Sequence, residues 1–222
     1  MGDLADRLDP SRTAVIVIDV QNDFCSPGGY MHREGHPLDM VQEMLPNLKA
    51  LLTGAKEAGV PRIFFQANYA TDYNWYLSPV WLERARRSNP KGGHLDYAVC
   101  EEGAWGFDIV DDLQPSGAKD EIVIKKHRYS GFVGTELDLV LRSRGIETVV
   151  MTGVATNVCV ESTARDAFMR DYHVVLLSDC SATYSDAEQQ ATLANIRQYF
   201  GEVATSSDVL DVWQKEAVAA AR

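Results

Sequence analysis

Cys159 stands in the run GVATNVCVES, residues 153–162, just after an apolar stretch and within the first turn of the helical pattern that follows. A thiol there lies near unpaired backbone N–H groups and the positive end of a helix, which favour a thiolate and could hold an oxyanion. Thr156 or Asn157 is placed to cap that helix. The plainer reading is a buried inert cysteine, the commoner fate of a free thiol. Cys25, Cys100 and Cys180 lack this placement and keep that reading. Asp19 ends the apolar run 14–18, where a carboxylate is costly unless paired, although a helix cap explains it equally well alone. Lys126 follows a third apolar run and precedes the turn of Tyr129, Ser130, Gly131 and Phe132. By alternation its neighbour Lys125 faces the other way. A thiol, a carboxylate and an ammonium are a nucleophile, its base and a support for developing negative charge.

The elements that must position these groups are short β-branched runs alternating with helical patterns. Strands are expected at 14–18, 62–66, 121–124, 148–152 and 173–177, with a short sixth at 202–205. Helices are expected at 39–58, 136–143, 157–171 and 208–219, and SDAE at 185–188 has the form of a capping box opening a helix to 199. Apolar strands between amphipathic helices predict a parallel sheet covered on both faces. In such a sheet Asp19, Lys126 and Cys159 all fall at carboxyl ends of strands, where ligands bind near the switch point.

Residues 67–119 carry the long internal segment, with Trp75, Trp81 and Trp105 and the basic cluster Arg84, Arg86 and Arg87. A segment of that length with weak periodicity reads as a lid or oligomer contact, the alternative being a packed pair of extra helices. No repeat, low-complexity tract or linker divides the chain, so 1–222 is read as one domain with this insert.

Composition narrows the function. The 222 residues are 45% apolar and 24% charged, ordinary for a folded protein with a full core. With 21 Lys and Arg against 32 Asp and Glu, the net charge of −11 repels phosphate backbones and anionic membranes. The polar start at residues 1–11 is not a signal peptide, and no run approaches a membrane span. Four scattered cysteines without a C-x-x-C pair indicate a reducing, cytoplasmic setting without structural zinc. His32 and His36 have metal-ligand spacing, but Gly35 and Pro37 interrupt any helix there, so no metal is expected. Phosphate-binding glycine loops and the G-x-S-x-G elbow are absent.

IDVQNDF (18–24), KHRYSGF (126–132) and GVATNVCVES (153–162) resemble the isochorismatase-like cysteine hydrolases, in order and over about residues 13–205. The resemblance implies a three-layer α/β/α fold on a six-stranded, mainly parallel, doubly wound sheet. It implies an Asp-Lys-Cys triad at Asp19, Lys126 and Cys159. It also implies a cis peptide joining Val154 to Ala155, which would aim the Ala155 N–H, beside that of Cys159, at the substrate oxygen as an oxyanion hole. By position Phe24, Asn68, Tyr69 and Tyr129 would line the pocket.

Isochorismatases proper lack the cysteine, and nicotinamidases carry D-x-H-x-x-x-H after the second strand, where this chain reads QANYATDY (66–73) without histidine. SPGGY (26–30), RYSGF (128–132) and the stretch from LRSRGIE (141–147) through ATNVCVES are most similar to ureidoacrylate amidohydrolases. Biuret-type hydrolases and N-carbamoyl amino-acid amidases are further neighbours. The resemblance therefore implies a cofactor-free amidohydrolase of ureidoacrylate, biuret, triuret or a similar ureide. The alternatives are an N-carbamoyl amino-acid amidase, a nicotinamidase-like amidase or a non-enzymatic ligand binder. Family members are often dimers or tetramers, which implies a homo-oligomer.

Overall fold

A computed structural model describes residues 4–69, 75–88 and 99–220. The side chains of Arg84, Arg86 and Arg87 lie outside the described part. In chain order the elements are α1 (Leu4–Arg7), β1 (Thr13–Ile18), α2 (Asn22–Cys25), α3 (Tyr30–Arg33), α4 (Asp39–Glu57), β2 (Arg62–Ala67), α5 (Pro79–Ser88) and β3 (Glu121–Lys126). They continue as α6 (Leu137–Ser143), β4 (Thr148–Val154), α7 (Glu161–Phe168), β5 (His173–Ala182), α8 (Asp186–Asn195), β6 (Glu202–Ala204) and α9 (Ser206–Ala220).

β1 and β4 are buried along their whole length because they are covered on both faces, which is why their sequences read as continuous apolar runs. The two faces separate cleanly along β1. Val15 and Val17 pack with Met44, Leu48 and Leu51 of α4 and with Val209 and Trp213 of α9. Ala14, Ile16 and Ile18 pack with Leu137 and Leu141 of α6, Ala164 and Ala167 of α7 and Leu193 of α8. Alternating side chains on a covered sheet thus build the three layers.

The six strands run in the order β3-β2-β1-β4-β5-β6, every pair parallel. The chain winds outward from β1 to β3, then crosses back to β4 on the other side of β1. The switch point therefore lies between β1 and β4. Register aligns the carboxyl ends there: Ile18 pairs with both Phe65 and Gly153, and Ala67 pairs with Lys126. Gly153 has φ +104°, and a Cβ on it would fall 2.1 Å from the Ile18 carbonyl oxygen, so only glycine lets β1 and β4 approach so closely.

Three local expectations are corrected. β5 runs to Ala182 rather than 177, because a register shift between Met151 and Gly153 opens a second stretch of pairing to Ser181 and Ala182. Ser185 stands at the N-cap of α8, but its side chain makes no capping bond there. The helix expected at 157–171 is a π-helical turn, Thr156–Val160, leading into α7. Neither Thr156 nor Asn157 caps it: Ala155 holds the cap position, and Asn157 Oδ1 instead accepts from the Thr183 hydroxyl at 2.7 Å.

Candidate active site

The chain leaves β1 at Asp19 with φ +53°, a left-handed conformation uncommon outside glycine. Its N–H donates to the Phe65 carbonyl, and its own carbonyl accepts from Gln21 N–H at 2.7 Å. The turn is held by the Gln21 amide, which makes a two-point clip on Ala67, accepting its N–H at 2.8 Å and donating to its carbonyl at 3.0 Å. The same side chain donates to the Phe107 carbonyl at 2.9 Å. Sequence reading gave Gln21 no role of its own, although it stands within the IDVQNDF stretch two residues after Asp19.

Lys126, the last residue of β3, is fully buried, while Lys125 is exposed and pairs with Glu102. Lys126 Nζ lies 2.7 Å from Asp19 Oδ2 and 3.5 Å from Cys159 Sγ. It also donates to the Arg128 carbonyl at 3.0 Å and to the Tyr69 hydroxyl at 3.4 Å. The contact to Asp19 is an ion pair outside good hydrogen-bond alignment, so neither carboxylate oxygen receives a well-directed hydrogen bond among the described residues. Asp19 is fully buried, and Cys159 keeps 6% exposure.

Cys159 sits on the π-helical turn after β4. The Ala155 carbonyl accepts from Val158 and Val160 N–H rather than from Cys159 N–H, the partner an α-helical turn would use. The peptide bond between Val154 and Ala155 is cis. Thr163 fixes this turn against the loop after β3, donating to the Cys159 carbonyl at 2.7 Å and accepting Gly131 N–H at 3.0 Å.

Burial dominates the ionisation. It raises the Asp19 carboxyl above its ordinary value, against the lowering pull of Lys126 and the Cys159 thiol beside it. Lys126 is also raised: burial opposes its charge, but the Asp19 carboxylate and, once ionised, the Cys159 thiolate prevail. The Cys159 thiol is pushed up to about 12, chiefly by burial, with Lys126 pulling the other way. Burial thus works against the thiolate that the helix end was expected to favour. A neutral thiol beside a carboxylate of raised basicity is set for proton transfer between them.

Among the residues expected to line a pocket, Tyr69 meets the centre through the contact of its hydroxyl with Lys126 Nζ. Its ring and that of Tyr129 both meet Trp81, at 5.6 and 4.6 Å between centroids. Asn68 is tied through its backbone, its N–H donating to the Lys126 carbonyl and its carbonyl meeting His127 Nδ1, both at 3.0 Å. Phe24 is partly buried and bridges two apolar clusters, its carbonyl accepting from the Tyr184 hydroxyl at 3.0 Å.

His32 Nδ1 accepts the Gly28 N–H, and His36 packs on Tyr184. Among the described residues no cluster of three or more His, Cys, Asp or Glu is placed to hold a metal ion. No described helix is long and apolar enough to cross a membrane. Cys25, Cys100 and Cys180 are free and buried. A cleft of about 500 Å³ lined by Arg7, Phe168, Tyr172, His173 and Phe200 lies at the amino end of β5, away from these groups. It is lined by no cysteine and contains none of Asp19, Lys126 and Cys159.

The parallel sheet and the gathering of carboxylate, ammonium and thiol at its carboxyl edge define an α/β protein with a cysteine centre. Residues 13–208 match the Isochorismatase domain, and the chain belongs to that family. It is 40% identical to a ureidoacrylate amidohydrolase of Agrobacterium fabrum over 220 residues, covering 95% of this chain and 93% of the relative. It is likewise 40% identical to one of Caulobacter vibrioides, over 90% of this chain and 91% of the relative. A crystal structure of a cysteine hydrolase from Pseudomonas syringae pv. phaseolicola superposes with a TM-score of 0.79 at 31% identity, covering 94% of this chain and 95% of that one.

Proposed function

We propose that this chain is a cysteine-dependent amidohydrolase that cleaves a C–N bond of a small ureido or carbamoyl compound. The observation that carries the reading is the buried meeting of Lys126 Nζ with Asp19 Oδ2 at 2.7 Å and with Cys159 Sγ at 3.5 Å. The similarity to ureidoacrylate amidohydrolases supports the substrate class.

In this mechanism Asp19 accepts the Cys159 thiol proton and the sulfur attacks the carbamoyl carbon. The N–H groups of Ala155 and Cys159 take the oxyanion, and Lys126 stabilises the negative charge of the cluster. Asp19 then returns its proton to the departing nitrogen as the C–N bond breaks. Water gives a proton to Asp19 and adds to the thiol-bound acyl carbon; the C–S bond then breaks, the acid product leaves, and Asp19 returns that proton to the Cys159 sulfur. A thiol ester is reactive enough for water to attack with a carboxylate base. Phe24, Asn68, Tyr69 and Tyr129 line the substrate. The protein is read as a one-domain chain with a lid or oligomer insert around residues 67–119, working in the cytoplasm as a homo-oligomer.

The test is an ammonia-release screen over 3-ureidoacrylate analogues, biuret, triuret, N-carbamoyl amino acids and nicotinamide, compared by kcat/KM. Turnover of one or more ureides that survives a chelator is the expected result. Turnover of nicotinamide alone, or of nothing, contradicts the reading.

A further inference from the structure

Asp19 and Cys159 are carried by separate loops, one after β1 and one after β4. The pairing of these two strands ends at Ile18 and Gly153, short of both groups. What holds the carboxylate against the sulfur must therefore lie beyond the sheet ladder. One brace is Lys126, which reaches both groups from β3, on one flank of the switch point.

A second brace comes from the other flank, where β5 lies beside β4. After its register shift, β5 runs on along the end of β4, Ser181 beside Gly153 and Ala182 beside Val154. The Ser181 hydroxyl donates to the Leu177 carbonyl at 2.8 Å, and Gln189 of α8 donates to the Ser181 carbonyl at 3.0 Å. An irregularity of this kind bends a strand and re-aims the side chains beyond it. Here the residues beyond it are Thr183 and Tyr184.

These two neighbours reach in different directions. The buried Thr183 hydroxyl donates at 2.7 Å to Asn157 Oδ1, on the π-helical turn that carries Cys159. The Tyr184 hydroxyl donates at 3.0 Å to the Phe24 carbonyl, on the segment that follows Asp19. Phe24 N–H in turn donates to the Gln21 carbonyl at 3.0 Å, and Gln21 N–H to the Asp19 carbonyl at 2.7 Å. A continuous path of hydrogen bonds and short backbone links thus joins the loop of the carboxylate to the turn of the sulfur.

We propose that Thr183 and Tyr184 act together as a clamp, two positioning residues that hold the loop of Asp19 and the turn of Cys159 at reacting distance. The inference rests on the amidohydrolase reading for its effect on turnover and goes beyond it in assigning these two residues. Small misplacements of reacting groups cost rate far more than binding, so the clamp acts on kcat.

The test uses Thr183→Val, Tyr184→Phe, which keeps the ring that packs on His36, and the double variant in the full chain. Hydrolysis is followed on whichever of 3-ureidoacrylate, biuret and triuret the wild type turns over fastest, and thermal unfolding checks that each variant folds. Each single variant should lower kcat about tenfold and change KM less than about twofold. The double variant should also lose about tenfold, not the roughly hundredfold of independent effects. Thr183→Ser, which keeps the hydroxyl, should restore kcat. Iodoacetamide labelling of Cys159 gives a readout without turnover. Burial first, and then Asp19, holds the thiol protonated, so a released turn should be labelled about threefold faster or more at pH 8. Additive losses, losses in KM alone, or unchanged labelling overturn the clamp and leave the amidohydrolase standing. A wild type that hydrolyses no ureide overturns the amidohydrolase reading, and the labelling rates then decide the clamp by themselves.

Discussion

Lys126 Nζ and Asp19 Oδ2 lie 2.7 Å apart with both side chains fully buried. A buried pair is costly to break and cheap to replace whole, because removing one partner strands the other charge in the interior. Lys126→Met should therefore lose about 3–5 kcal/mol in urea denaturation. The double variant Asp19→Asn, Lys126→Met should recover much of that loss. A single variant as stable as the wild type would show that the pair does not exist in solution.

The pH dependence follows from the same burial. Asp19 must be ionised to take the thiol proton, and its carboxyl is raised above 3.8 by desolvation, so kcat/KM should fall as pH drops through a value above 3.8. Lys126 is raised above 10.5, so its deprotonation lies on the far alkaline side. For stability the two shifts share a sign. Lys126 binds its proton more tightly when folded, so its contribution is full below 10.5 and is lost as pH rises through the folded value. Asp19 likewise holds a proton more tightly when folded, and its contribution declines as pH rises from 3.8 through its folded value. Unfolding free energies at several pH values should show the acid-side component in the wild type and not in Asp19→Asn.

The resting thiol should be sluggish toward alkylators. With its pKa pushed up to about 12, Cys159 holds little thiolate at neutral pH. Iodoacetamide labelling, located by peptide mapping, should rise roughly tenfold per pH unit between 7 and 10. A rate already at its plateau near pH 7 would mean a standing thiolate and a different division of labour with Asp19.

Thr163 joins the loop after β3 to the turn that carries the sulfur. Thr163→Val leaves Gly131 N–H and the Cys159 carbonyl without that hydroxyl, and should cost about 1–3 kcal/mol of stability. It should lower kcat more than it changes KM, while Thr163→Ser restores both. Loss of stability with an unaltered kcat would leave the residue only a structural part.

The sheet was legible because strands buried on both faces must be apolar throughout, and 14–18 and 148–152 read that way. The three chemical groups were legible because each follows such a run, and alternation along β3 separated Lys126 from Lys125. Contacts between distant segments left no comparable trace. Nothing local in the sequence marks the Gln21 clip on Ala67, the Thr163 bridge or the bonds of Thr183 and Tyr184 to Asn157 and Phe24. The second half of β5 was hidden by Ser178, Asp179 and Ser181, polar residues inside a strand. The thiol's burial left no local trace, because burial is a property of the assembled fold, whereas the helix end could be seen locally.

The most direct measurement of the central claim is hydrolysis of 3-ureidoacrylate and biuret by the wild type and by Cys159→Ala, with thermal unfolding recorded on both. The wild type should turn over at least one of these ureides, and Cys159→Ala should lose about 10³-fold or more in kcat while unfolding at nearly the same temperature. A Cys159→Ala enzyme as active as the wild type would contradict the account.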